Sequence, residues 1–245
     1  MIPEATQATP RGPFEPTRWS LVLRARAEDT AQRHTALSEL YAGYWSPLYA
    51  FLRRSGRSPD DARDLAQEFF VRLLDGTLLA AADPAKGRFR TLLLAGLRHL
   101  DANALRATHT AKRGGGQEHL PLDLAPAEER WLAEASRNDS PEQAFDRAWA
   151  NVVIDRASIC LRDSYQAAGK GPLFDELFPR LLGGRAEGGL AAAGERLGLS
   201  EGSVKMALSR LRHRFGEALQ AEIAHTVGSR ADVQEELRYL LSVLG

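Results

Sequence analysis

The sequence predicts an all-α protein: two small helical domains joined by an acidic linker. Three observations carry that expectation. Ala, Leu and Arg dominate and strand-type alternation is almost absent; Gly and Pro gather at the breaks; and apolar residues return every three or four positions through most of the chain. At 245 residues the chain is long enough for two such units. Its formal net charge is zero, yet the charge is sorted along it. From Thr17 to Arg113 there are 16 Lys+Arg against 10 Asp+Glu, from Gly114 to Ala150 3 against 8, and from Asn151 to Gly245 12 against 12. The last stretch divides again, with five basic residues and one acidic in 196–214 but two and five in 217–245. Two basic surfaces separated by an acidic connector suit a nucleic-acid binder.

Residues 1–16, with four Pro around Phe14, read as a disordered leader. The first compact unit, 17–113, begins at "TRWSLVLRARAED", where Trp19, Val22 and Leu23 repeat at helical spacing. A second helix carries Leu37, Leu40, Tyr41, Tyr44 and Trp45 into "SPLYAFLRRSG". In "SPDDARDLAQEFFVRLL", Ser58 is the cap, Pro59 takes the first helical position and Asp61 completes an S-x-x-D box. Another helix spans about 87–105. Residues 114–139 hold only a short periodic piece around Trp131 and form the linker. Ser140, Pro141 and Gln143 then open a long helix whose buried stripe is Phe145, Ala148, Trp149, Val152 and Ile159. Further helices cover roughly 174–182, 190–197, 200–220 and 232–244, so the second unit is 140–228 and an amphipathic helix occupies 229–245. The face of that last helix, Val233, Leu237, Leu240, Leu241 and Leu244, is expected to pack on its own domain.

Three stretches carry chemistry. In the first, Leu190–Leu197, a turn at Gly198–Leu199 and the helix from Ser200 make a helix-turn-helix. Ala193 and Gly194 permit close approach, and Gly198 supplies a left-handed cap. Val204, Leu208, Leu211 and Phe215 line the inner face of the second helix; Met206, Ser209, Arg210 and His213 lie opposite, with Lys205 and Arg212 on the flanks. Such a helix fits the major groove, where Lys205, Ser209 and Arg210 reach base edges or phosphates.

On "DDARDLAQEFFVRLL", Ala62, Leu65, Ala66, Phe69 and Leu73 face inward, while Asp64, Gln67, Glu68, Val71 and Asp75 share the outer face. The helix dipole explains Asp60 and Asp61 but not Asp64 and Glu68, which lie beyond the first turn. An acidic face with apolar Val71 among it fits a partner with a basic rim and a small apolar centre. In the third stretch, 86–113, seven basic residues face one acidic, and Phe89 lies between Arg88 and Arg90. Aromatic and basic residues interleaved in this way suit stacking on single-stranded bases.

Catalysis finds no support. The six His are scattered without metal-site spacing, and no nucleophile-elbow, zinc-protease or dinucleotide motif occurs; "KRGGG" lacks the Lys-Ser/Thr of a phosphate loop. No catalytic residue, metal or cofactor is expected. The one cysteine, Cys160, excludes an internal disulfide, suits a reducing cytoplasm and reads as a core residue. There is no signal peptide and no run of 18 apolar residues, so membrane insertion is not expected.

Taken in order, these motifs resemble the extracytoplasmic-function (ECF) RNA polymerase sigma factors of the main bacterial sigma family, over roughly 17–227. "DDARDLAQEFFVRLL" resembles the family's core-polymerase-binding helix. "GRFRTLLLAGLRHLDANALR" resembles the segment that melts and reads the promoter −10 element, and "LAAAGERLGLSEGSVKMALSRLRHRF" the −35-reading helix-turn-helix. The opening "TRWSLVLRA" and the "AKRGGG" loop resemble an ECF-like branch common in planctomycete-type genomes. The resemblance implies that Asp64, Gln67, Glu68 and Val71 meet core RNA polymerase. It implies that Arg88, Phe89, Arg90, His99, Asn103 and Arg106 face the separated non-template strand, with Lys112 and Arg113 on phosphates. Ser203, Lys205, Met206, Ser209, Arg210, Arg212 and His213 would face −35 promoter DNA. The acidic linker would thread the polymerase's basic RNA channel. Two positions depart from the family: Leu92 stands where Trp is frequent, and Asn103 where Asp is frequent, which bears on the −10 preference. An anti-sigma or other regulatory protein is a further implied partner. The competing reading is a stand-alone helix-turn-helix regulator that binds duplex DNA without polymerase and has no use for the Asp64–Glu68 face.

Overall fold

The structure is a computed structural model that describes residues 24–25, 29–75, 77–80, 89–110, 125–134, 137–183, 188–224 and 230–244. The expected leader and the whole of "TRWSLVL" lie outside the described residues, as do Arg88, Lys112 and Arg113. Among the described residues the fold is all-α, without strands. The helices are α1 (Thr30–Arg54), α2 (Pro59–Leu74), α3 (Thr77–Ala80), α4 (Phe89–Thr110), α5 (Ala125–Glu134), α6 (Pro141–Ala167), α7 (Gly171–Leu181), α8 (Leu190–Leu197), α9 (Glu201–Ala224) and α10 (Arg230–Leu244).

Local sequence explains most of their ends. Asp29 caps α1, its carboxylate accepting from the N–H of Ala31 at 2.9 Å. Ser58 caps α2 through the Asp61 N–H at 3.1 Å and donates its hydroxyl to the Asp61 carboxylate at 2.7 Å. Ser140 and Gln143 form the full reciprocal box on α6, with Ser140 N–H to Gln143 Oε1 at 2.7 Å and Gln143 N–H to Ser140 Oγ at 3.2 Å. Pro47 sits inside α1 without ending it.

Two hydrophobic cores result. The first gathers Leu40, Tyr44, Leu48 and Leu52 of α1, Ala62, Ala66, Phe69 and Leu73 of α2, and Phe89, Leu93 and Leu97 of α4. It also takes Phe145, Trp149, Ala150 and Val153 from the N-terminal half of α6. The second gathers Ala157, Leu161 and Tyr165 from the other half of α6, Phe174, Leu177 and Phe178 of α7, Ala193 of α8, and Val204, Leu211 and Phe215 of α9. One 27-residue helix, about 40 Å long at 1.5 Å per residue, therefore serves both cores.

That sharing corrects the expected stripe on α6. Ile159 is 56 % exposed, and the inward positions in this half are Ala157, Leu161 and Tyr165. At roughly 100° per residue, the buried direction turns by about a quarter of a rotation as the helix passes from α1 to α7 and α9. Cys160, next to Ile159, is exposed as well, which corrects its reading as a core residue.

The expected linker contains α5, which packs on the end of α1. Tyr49 donates its hydroxyl to Glu128, Arg53 Nη2 bonds Glu128 Oε1 at 3.1 Å, and the guanidinium of Arg54 stacks 4.9 Å from the Trp131 ring centre. Just beyond the same end of α1 Arg57 reaches α4, its Nε 2.7 Å from Asp101 Oδ1, with both side chains largely buried. Helix α10 packs on α6 and α9. Val233 and Leu240 are buried and Leu237 and Leu244 partly so, while Leu241 is 59 % exposed and leaves the expected apolar face. The buried pair joins the first core, together with Ile223 at the end of α9.

Candidate nucleic-acid interface

The helix-turn-helix is built from two glycines and one serine. Gly198 adopts φ 66°, ψ 31°, the left-handed conformation that ends α8, and the following Leu199 N–H bonds the Gly194 carbonyl at 2.9 Å. A Cβ on Gly194 would stand 2.5 Å from the Leu199 carbonyl oxygen, so the turn closes against a position that only glycine fills. Ser200 Oγ accepts the Ser203 N–H at 3.2 Å and opens α9. Val204, Leu211 and Phe215 anchor α9, with Phe215 edge-on to Phe178 at 5.4 Å between ring centres. Glu176 of α7 braces the first helix of the motif. It takes two bonds from Arg196, at 2.9 and 2.6 Å, and one from Arg180 at 2.9 Å; these donors hold its pKa down at about 2.

This scaffold leaves one face of α9 open. Ser203, Lys205, Met206, Ser209, Arg210, Arg212 and His213 are all exposed, as the sequence places them. Ser203 also shares its hydroxyl with Ser200 at 2.9 Å, so part of its polar capacity belongs to the cap. His213 Nδ1 lies 3.5 Å from Glu217 one turn on. The structure adds two cations that the sequence reading does not single out. Lys170 and Arg214 join Arg210, His213, Tyr165 and Glu217 around a cleft of about 410 Å³ between the start of α7 and α9. Arg214, four residues after Arg210, continues the same helical row and was legible in "RLRHR"; Lys170 arrives through tertiary packing and left no local signal.

The outer face of α2 presents Asp64 and Val71, the latter 44 % exposed, with Gln67 and Glu68 half-buried beside them. Glu68 accepts from Arg72 at 2.5 Å along its own helix, and Asp64 lies 3.5 Å from Arg63 Nε. These pairs are solvated and leave the carboxylates open on one side.

Helix α4 departs from the expectation at its start. Phe89 is 1 % exposed, edge-on to Tyr44 at 5.6 Å, and is a core ring rather than a stacking platform. Arg90 is enclosed too. It forms a short ion pair with Asp146 of α6, lies 3.0 Å from Glu236 of α10, and stacks over Trp149 and Tyr239. Burial opposes its charge, but the two carboxylates outweigh burial and its pKa is raised. Its partners lie 56 and 146 residues away, beyond the reach of local pattern. Further along, His99 and Arg106 are exposed and Asn103 is half-buried; Arg106 Nε bonds the Ala102 carbonyl at 3.3 Å. His99 also edges an apolar groove of about 420 Å³ with Phe69, Arg72, Asp75, Leu78 and Gly96.

Among the described residues no three His, Cys, Asp or Glu side chains gather as a metal site, and no helix is long and apolar enough to cross a membrane. The exposed side chains of α9 are mainly basic, whereas the outer face of α2 carries Asp64 and Glu68. Residues 40–110, which run from within α1 to the end of α4, match the family model of sigma-70 region 2. No curated protein and no solved structure matches the chain.

Proposed function

We propose, on the premise that this chain is a sigma factor of the sigma-70 family by its region 2, that it belongs to the ECF branch and directs core RNA polymerase to promoters with two elements. Promoter recognition together with RNA polymerase follows from the family; its length is consistent with that branch. The observation that carries the finer reading is an exposed basic helix-turn-helix face lying beyond the matched region on the same chain.

In this reading Asp64, Gln67, Glu68 and Val71 bind the basic coiled coil of the polymerase's largest subunit. The half-buried Gln67 adds amide bonds and the exposed Val71 an apolar contact. His99, Asn103 and Arg106 on the open face of α4, together with Arg88, meet the melted −10 strand, and Lys112 and Arg113 hold its phosphates. Helix α9 enters the −35 major groove through Lys205, Met206, Ser209 and Arg210, with Ser203, Arg212 and His213 at the edges. Lys170 and Arg214 sit where the flanking backbone would pass. Strand opening draws on binding free energy, and RNA synthesis belongs to the polymerase. The acidic stretch 114–139 would occupy the RNA channel once α5 leaves its seat on α1, and a regulatory protein controls access.

Co-elution of the full chain with core polymerase, beside an Asp64→Ala/Glu68→Ala variant, tests this. Wild type should bind and the variant should lose most of its affinity. If neither binds while wild type still shifts duplex DNA, the chain is a self-sufficient regulator.

A further inference from the structure

Of the large apolar side chains on α9, Val204, Leu211, Phe215 and Ile223 are buried and Leu208 and Leu219 half-buried; Met206 is 56 % exposed. A single exposed apolar residue is ordinary on a protein surface. The place of this one is not. At about 100° per residue, Met206 lies roughly 160° around the helix from Val204 and roughly 180° from Phe215, on the line farthest from the core. Gly202 and Ser203 stand one turn before it and Ser209 and Arg210 one turn after. A Cβ on Gly202 would meet nothing nearer than Ser200 Oγ, at 4.0 Å. Three of the four neighbours on the helix surface are therefore small, and the thioether projects past them.

The surroundings say what it can meet. Lys205, Arg210, Arg212 and Arg214 are exposed around the same helix, and His213 lies 3.5 Å from Glu217. A complementary partner carries anionic rims and, between them, one apolar group within reach of an unbranched side chain. The major groove of duplex DNA has that pattern: phosphates border it, and the C5 methyl of thymine is the apolar group on its floor. Methionine, long and polarisable, adapts to such a contact. A protein partner calls for a wider apolar patch, and α9 exposes no second large apolar side chain.

We propose that Met206 is a specificity-determining residue that reads a thymine, by contact with its C5 methyl, at one position of the duplex site that α9 enters. The inference rests on the −35 reading above and adds to it the base and the group recognised. A methyl contact makes no hydrogen bond, so it separates thymine from uracil, whose hydrogen-bonding edge is the same.

The test starts from a pool of duplexes with a randomised centre, from which the full chain retains its preferred sites, alone in one arm and bound to core polymerase in the other. In a retained site each thymine is then replaced by uracil in turn, and binding is measured for wild type and Met206→Ala. At one position uracil should weaken wild-type binding about fourfold, the effect of one buried methyl, while Met206→Ala binds the two duplexes equally. Its salt slope should match that of wild type, because no phosphate contact is lost. Retained sites without a uracil-sensitive position, or a Met206→Ala variant that keeps the difference, overturn the proposal and leave duplex reading by α9 standing. If neither arm retains any sequence above the pool, α9 does not read duplex, and the proposal falls with that reading. Sites retained by the free chain but not with polymerase end the promoter reading alone, and the uracil series on those sites still decides Met206.

Discussion

Basic residues do opposite work in the two halves of the molecule. At the start of α4, Arg90 is enclosed by Asp146, Glu236, Trp149 and Tyr239, and its charge holds three helices together. On α9, Arg210 and Arg212 stand exposed on a face whose apolar anchors lie on the other side. The first arrangement uses its charge inside the chain; the second leaves it on the surface. The difference lies in whether carboxylates from distant helices converge on the guanidinium.

Substitution should expose this contrast, most sharply at the enclosed site. Arg90→Ala removes the guanidinium between two buried carboxylates and should cost about 3–5 kcal/mol in urea unfolding, whereas Arg210→Ala should stay within about 0.5 kcal/mol. Equal losses would erase the distinction. Next in size, Gly194→Ala forces a Cβ against the Leu199 carbonyl, which sits 2.5 Å away. It should cost roughly 1–3 kcal/mol and weaken duplex binding through the displaced α9, without any change in charge.

A smaller effect concerns Glu176, whose pKa of about 2 lies below the ordinary 4.5. A carboxylate depressed by folding stabilises above its ordinary value and loses that contribution as pH falls toward the folded one. Unfolding followed by circular dichroism should therefore show wild type losing its advantage over Glu176→Gln between pH 4.5 and 2, by no more than about 1 kcal/mol given solvent screening. An advantage that persists at pH 2 would contradict the assignment. Smallest for stability are Lys170→Ala and Arg214→Ala, expected to leave unfolding unchanged while each lowers the salt slope of duplex binding by about one. An unaltered slope would remove the cleft from the interface.

Much of this was legible in the sequence because it is local. Ser58–Pro59 and Ser140–Pro141 announce helix starts, and Gly194 with Gly198 announces the turn. The 3.6-residue period separates Val204, Leu211 and Phe215 from Lys205, Ser209 and Arg210. What failed was long-range. "RFR" looks the same whether Phe89 stacks on a base or packs edge-on to Tyr44, and nothing near Arg90 signals Glu236. Ile159 and Cys160 escape the pattern for a related reason: a single periodic stripe does not hold along a helix that changes partners midway.

That change of partners on α6 has a consequence for how the chain comes apart. A fragment ending at residue 139 would lose Phe145, Trp149, Ala150 and Val153, and would expose the side of α1 they cover. A fragment beginning at residue 140 would carry those same side chains bare. Neither piece is a self-sufficient folding unit, so calorimetry of the intact chain should show one cooperative heat-absorption peak rather than two.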